Sequence, residues 1–417
     1  MSPAAAILPE ERRPGSTLAR QKALLMGYYG VRNLGDEMML YCLSRWLGDQ
    51  GIEVTVLAED PSEVKRTQKL PAVRNVPMFG EWGIRGGILV WLRGPAWKVL
   101  KALRSSDLVV AGGGDTIRDD RGKRQLFYAI EKLVIGLLLR KKVCLLNVGL
   151  ASVKTPLGRR LLRWIVSRSS MTVVRDDASF ELCRSLGAHH LYRAEDITCS
   201  LPMKFGFVTA HPAAEQFSVH NNAPSTSSYF RSSSPDPYLL VCLRSGSNVY
   251  GHYPLSDSRL QNFAHALDHV SAVYGLRVLF MPFQAYEQQN DNEVHRAVFE
   301  KMSHRDRAQI CSWTSDLRQA IGLIAGARCV IAMRLHAAVM AVASQRPCIV
   351  MPYDKKVSEF QRTTVVAGSI DADLLDSPEG VIEMIVKCLD AKNLGHKSPS
   401  NVWDKIRLSK ILESAEG

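Results

Sequence analysis

Apolar residues fall along the chain in short blocks separated by longer stretches with helical spacing. Ala23 to Met26 is a compact apolar run; Met38, Met39, Leu43, Trp46 and Leu47 then recur at helical intervals up to Gly51, and a second run spans Glu53 to Ala58. Short apolar runs predict strands buried on both faces, and the helically spaced stretches predict the crossovers between them. The opening is therefore a β-α-β unit, which implies a parallel sheet. The rhythm continues with strands over 107–110, 143–148 and 171–174, a helix over 126–139, and a helix opening at Thr155-Pro156, an N-cap followed by a first-turn proline. It resumes at Tyr238 with strands over 239–243, 276–280, 330–333 and 348–351, and helices over 259–274, 291–302, 316–325, 336–345, 379–389 and 403–413. The expected fold class is α/β, with two Rossmann-like domains that each carry a mainly parallel sheet.

The pattern also divides the chain. Residues 1–21 read as a flexible arm and 22–206 as the first domain. Residues 207–237, rich in Ser, Pro and Asn, read as a linker or long surface loop. Residues 238–395 form the second domain and 396–417 a C-terminal helix. Phe79 to Ser105 stands apart: Trp82, Trp91 and Trp97 are interleaved with aliphatic residues and with Arg85, Arg93, Lys98, Lys101 and Arg104. Two readings stay open for it, a helix lying in a membrane interface and a helical pair packed on the sheet with its basic side in solvent.

Composition changes the picture in two respects. The 417 residues are 46% hydrophobic and 23% charged, ordinary for a globular chain long enough for two domains. The net charge of +12 points to an anionic partner. No zinc-finger spacing, aromatic ribonucleoprotein signature or basic heptad helix occurs, so nucleic acid ranks last. Nine scattered cysteines with no Cys-x-x-Cys pair support neither zinc nor a disulfide framework, and a reducing cytosol is the expected setting. No secretory signal or run long enough to span a bilayer is present, and no metal or cofactor is expected.

Candidate chemistry lies where strands end. Arg334-Leu335-His336 falls between the strand ending at Met333 and the next helix, a cation and an imidazole at a junction where open α/β sheets bind ligands. Arg175 and Arg244 lie at two other strand tips. Gly112-Gly113-Gly114-Asp115 follows a strand and predicts a backbone-lined pocket. The loop holding Gly27, Gly30 and Gly35 matches neither the dinucleotide fingerprint nor the Walker pattern, so neither NAD nor ATP is indicated.

Seven stretches together resemble the polysaccharide pyruvyl transferase family: Asn33-Leu34-Gly35-Asp36-Glu37, Gly112-Gly113-Gly114-Asp115, Val174-Arg175-Asp176, Leu243-Arg244, Pro282-Phe283-Gln284 with Asp291, Met333-Arg334-Leu335-His336 and Tyr353-Asp354-Lys355-Lys356-Val357. They occur in the family's order from residue 22 to about 360; the N-terminal arm and the Ser-rich stretch have no counterpart. The resemblance implies a GT-B-like pair of Rossmann-like domains and transfer of pyruvate from phosphoenolpyruvate to a saccharide as a cyclic ketal, with phosphate released. The resemblance leaves the saccharide free or lipid-linked; a lipid-linked one would place a cytoplasmic protein peripherally on the inner face of the plasma membrane, with Trp82–Arg104 as the contact. Arg175, Arg244, Arg334 and Leu335 are then the phosphoenolpyruvate contacts, and His336 the general acid that protonates the methylene carbon. Asn33, Asp36, Gly113, Gly114, Asp115, Gln284 and Lys355 are acceptor or loop candidates. Asp36, Asp115 and Asp176 are equal candidates for the base. A helix N-terminus disfavours imidazolium, whereas a bound trianion favours it. Two other functions compete: sugar transfer from a nucleotide sugar on the same scaffold, and non-catalytic docking on anionic membrane or glycan.

Overall fold

The computed structural model describes residues 21–78, 94–119, 123–208, 237–246, 255–286, 289–390, 402–406 and 408. Nearly all of the expected arm, most of the Ser/Pro-rich stretch and residues 79–93 of the Trp-rich segment lie outside them. Two parallel sheets organise the described residues. The first has strands β1 (Lys22–Met26), β2 (Glu53–Ala58), β3 (Ala72–Arg74), β4 (Leu108–Gly114), β5 (Lys142–Val148), β6 (Met171–Val174) and β7 (Leu191–Arg193), in the order β3-β2-β1-β4-β5-β6-β7. The second is built from β8 (Tyr238–Cys242), β9 (Arg277–Phe280), β12 (Ala308–Ile310), β13 (Cys329–Ala332), β14 (Cys348–Val350) and β15 (Gly368–Ser369), in the order β12-β9-β8-β13-β14-β15. A two-strand hairpin, β10 (Ala285–Tyr286) and β11 (Gln289–Asn290), leaves the end of β9.

Alternation decides which side of the first sheet each residue covers. Leu25, Val56 and Val110 enter one apolar cluster, while their neighbours Leu24, Leu57 and Val109 enter another on the opposite side. Both faces are covered, which is why these strands read as unbroken apolar runs. The strand order reverses between β1 and β4 in the first sheet and between β8 and β13 in the second. Each reversal opens a crevice at the carboxyl ends of the strands, where loops diverge to either side.

The two crevices meet. The backbone N–H of Leu34 donates to the Phe283 carbonyl at 2.7 Å, that of Ala285 donates to the Arg32 carbonyl at 3.2 Å, and Asn33 and Gln284 form an antiparallel bridge. The chain end returns to the first lobe. Trp403 packs edge-on against Trp46 and donates its indole N–H to the Glu195 carbonyl at 2.9 Å. In the Trp-rich segment, the described part is a helix, Pro95–Ser105, that buries Ala96, Val99 and Leu103 and exposes Lys98, Lys101 and Arg104. Of the two readings left open, this part fits the packed helix. No described helix is long and apolar enough to cross a membrane.

Candidate active site

Every strand around the two switch points delivers a polar side chain to the shared crevice. From the first lobe, the loop after β1 leads into a helix, Leu34–Asp49, that begins earlier than its apolar spacing predicts. Asn33 caps it, accepting from the N–H groups of Gly35 at 3.1 Å and Asp36 at 3.4 Å. Glu37 does not cap; it reaches back to the N–H of Gly30 at 2.8 Å and fixes the loop. Asp36 is thereby held at the helix's first turn, beside Gly114. The glycines after β4 are needed for approach: Gly113 has φ +75, and a side chain there would strike Met39, as one on Gly112 would strike Leu25 and Leu43.

Arg175, at the end of β6, is committed to two carboxylates. Its guanidinium bonds Asp115 at 2.7 Å and Asp196 at 3.3 Å. Asp196, after β7, also lies 3.5 Å from His336 Nε2. That separation allows an ion pair with a protonated imidazole but not a well-aligned hydrogen bond, and among the described residues Nε2 has no hydrogen-bond partner. A Cβ on Gly35 would fall on the ring's Nδ1, so His336 lies against the first turn of the opposite lobe's helix.

The second lobe presents its cations on a rigid support. Arg334 caps the helix Leu335–Ala343 without a side-chain capping bond, and the amides of Leu335 and His336 have no acceptor among the described residues. Its guanidinium is gripped by Asp291, Nε to Oδ2 at 3.0 Å and Nη2 to Oδ1 at 2.5 Å, and donates to Gln284 Oε1 at 3.2 Å. Asp291 is fully buried and also accepts from the N–H groups of Ser245, Phe283 and Gln284. His295, one turn on, accepts the N–H of Leu243 at 3.1 Å; burial pushes its imidazole down to about 4, so it serves as a neutral acceptor. Arg244 lies over the Tyr353 ring and donates to its hydroxyl at 2.5 Å. Lys355 is exposed, whereas its neighbour Lys356 is half-buried and its charge acts on Asp36, Asp115 and Tyr353.

The carboxylates differ sharply. Burial raises Asp36 to about 6, against the combined pull of His336, Lys356, Arg175 and Arg334. Burial also opposes ionisation of Asp115 and Asp196, but Arg175 and Lys356 override it at Asp115, and His336 and Arg175 override it at Asp196. Both are held below the usual carboxylate range. Asp176 is spent as a helix cap on Ser179, bonding its N–H at 2.7 Å and its hydroxyl at 2.9 Å. Asp36 thus has a pKa suited to accepting a proton near neutrality, whereas Asp115 is held ionised by its cations and Asp176 is engaged as a cap. Tyr353 is also shifted: burial opposes ionisation, but Lys356, Arg244 and Arg334 lower its phenol. No group of His, Cys, Asp and Glu suited to a metal occurs among the described residues.

The crevice thus joins His336, Asp36, Arg175, Arg244, Arg334 and Lys356, with Asp115, Asp196 and Asp291 as counter-charges. Gln284 and Asn33 serve as supports in the loops that link the lobes. Asp196 escaped the sequence reading because it follows a three-residue edge strand, β7, that leaves little apolar signal. Asp291 reads in the sequence as a helix start, because its partner Arg334 is forty-three positions away.

The architecture is that of a GT-B-like α/β protein with two Rossmann-like domains. UDP-GlcNAc 2-epimerase from Methanocaldococcus jannaschii is similar over 94% of this chain and 99% of its own, at 15% identity and a TM-score of 0.59. An S. aureus MnaA–UDP co-structure gives 12% identity and 0.59, covering 95% and 96%, and UDP-GlcNAc 2-epimerase from Neisseria meningitidis bound to UDP-GlcNAc gives 11% and 0.55, covering 95% and 99%. At such identities the likeness establishes the fold alone. No curated protein matches the chain. The family model for polysaccharide pyruvyl transferase matches residues 33–355, and the chain belongs to that family.

Proposed function

We propose that the protein moves pyruvate from phosphoenolpyruvate to two hydroxyls of a saccharide, forming a cyclic ketal and releasing phosphate. The observation that carries this reading is the placement of one carboxyl with a pKa of about 6, Asp36, among His336, Lys356, Arg175 and Arg334 at the meeting of two switch points. A small, highly charged anion suits such a set of cations, and a carboxyl of that pKa suits proton transfer from a sugar hydroxyl.

In the proposed sequence Arg334, fixed by Asp291, and the free amides of Leu335 and His336 hold the anion, with Lys356 as a further cation. Protonated His336 donates to the methylene carbon, which becomes a methyl group and leaves C2 electrophilic. The first sugar hydroxyl attacks C2 and gives its proton to Asp36. The C2–O–phosphate bond then breaks, and phosphate leaves with the proton held by Asp36. The second hydroxyl attacks C2 and returns a proton to His336, so both groups end as they began. Asp196 balances the imidazolium, and Arg175 holds Asp196 in place.

The direct test is phosphate release from phosphoenolpyruvate against a panel of free and lipid-linked saccharides, with the acceptor product identified by NMR. Release that depends on an acceptor supports the reading; a protein that binds UDP and ignores phosphoenolpyruvate supports nucleotide-sugar transfer instead. The Asp36 value adds a pH signature. The log of kcat/KM should rise with pH until Asp36 is ionised, near 6, and fall again at higher pH once the general acid has lost its proton, and Asp36→Asn should abolish turnover at every pH. Stability should move the other way. The folded state binds the Asp36 proton more tightly than the unfolded chain, so stability falls as pH rises from the ordinary carboxylate range through about 6, above which the loss is complete. Asp36→Asn should therefore raise the thermal midpoint at pH 8 and leave it nearly unchanged at pH 4. Equal midpoints at pH 8 would contradict the assignment.

A further inference from the structure

Arg32 is a cation that the mechanism leaves unused. It is exposed, and its backbone has φ +50, a left-handed conformation uncommon outside glycine and concentrated at functional sites. Three contacts hold it in this conformation: its carbonyl accepts from Ala285, the bridge of Asn33 with Gln284 follows directly, and Glu37 ties down Gly30. The guanidinium lies over the ring of Trp313, 5.9 Å from its centroid. Trp313 belongs to the loop after β12, so the pair straddles the two lobes. Arg32 has no ion pair among the described residues. Asp60, which feels its charge, is already engaged in capping a helix through the N–H groups of Ser62 and Glu63.

A guanidinium held over an aromatic ring keeps its edge donors free and loses little freedom when they bind an oxyanion in a fork. Arg32 is not among the charges that act most strongly on Asp36, whereas Arg175, Arg334 and Lys356 are. Its backbone is joined to the loop that supports Arg334 through Gln284.

We propose that Arg32, shelved on Trp313, binds a phosphate carried by the acceptor saccharide. This rests on the pyruvyl-transfer reading and deepens it: the acceptor would be a glycosyl phosphate or diphosphate and not a neutral glycan. Nucleotide-linked and polyprenyl-linked saccharides share that chemistry.

The test uses the full chain and calorimetry, with a hexose 1-phosphate, the matching methyl hexoside and inorganic phosphate as probes. The hexose 1-phosphate should bind more tightly than either of the other two. Arg32→Gln should weaken it about tenfold, in the range for losing one charge-assisted fork, while phosphoenolpyruvate binding stays unchanged. Trp313→Ala should weaken it less, and Arg32→Lys should not restore it, since a point charge cannot fork. Wild-type affinity for hexose 1-phosphate in Arg32→Gln overturns the proposal, as does equal binding of the methyl hexoside. So does equal binding of inorganic phosphate. Failure of the pyruvyl-transfer reading would show separately, as absent phosphoenolpyruvate binding in the wild type. UDP-hexose and a short polyprenyl-diphosphate hexose then identify the source; tight binding of either supports the subsite.

Discussion

Replacing His336 by Ala should lower kcat by about 10²- to 10⁴-fold, the range for losing a positioned proton donor, and leave phosphoenolpyruvate affinity close to wild type. The reasoning is geometric. The imidazole is only partly exposed, stands against Gly35 of the other lobe, and has the Asp196 carboxylate 3.5 Å from Nε2. None of the bonds that orient Arg334 passes through it, so the anion site should survive its removal. Single-turnover kinetics alongside calorimetry separates the two effects. A variant that turns over at near wild-type rate would remove His336 from the proposed proton path. One that loses phosphoenolpyruvate binding as well would make it a binding group.

The second large effect is expected at Asp291. Asp291→Ala should destabilise the protein by about 3–5 kcal/mol, because it leaves the buried Arg334 guanidinium without its counter-charge. It also removes the acceptor of three backbone N–H groups, at Ser245, Phe283 and Gln284. The Phe283–Gln284 loop bonds the other lobe at Leu34 and Asn33, so loosening it should disturb Asp36 too. Urea unfolding reads the stability loss as a lowered midpoint with an unchanged slope. Phosphoenolpyruvate affinity should fall in the folded variant. A loss under about 1 kcal/mol would mean that Arg334 finds another partner or stays solvated, contrary to the burial seen here.

Much of the fold was legible because buried parallel strands leave strong apolar runs. The strands containing Leu24, Val109, Leu145 and Ile331 all fall where those runs predict. The edge strands β3, β7, β12 and β15, of two or three residues, did not register; half-exposed segments that short carry little periodicity. The helix Lys355–Thr363 was also missed, since only Val357 in it is buried. Without that helix the sequence does not distinguish the exposed Lys355 from the half-buried Lys356. Arg334 and His336 were legible as a strand-tip cation and imidazole. Their partners Asp291 and Asp196 were not, because pairing across tens to more than a hundred residues leaves no local trace. Nor could the sequence separate Asp36 from Asp115 and Asp176; burial and neighbouring cations make that distinction, and both are properties of the folded chain.

Reaction of phosphoenolpyruvate with a competent acceptor in D₂O examines the central chemistry directly. Transfer through a protonated methylene carbon predicts a ketal whose methyl group carries deuterium, formed in equal amount with phosphate, and both lost in His336→Ala. Phosphate released without a ketal, or a ketal methyl group free of solvent deuterium, would contradict the account.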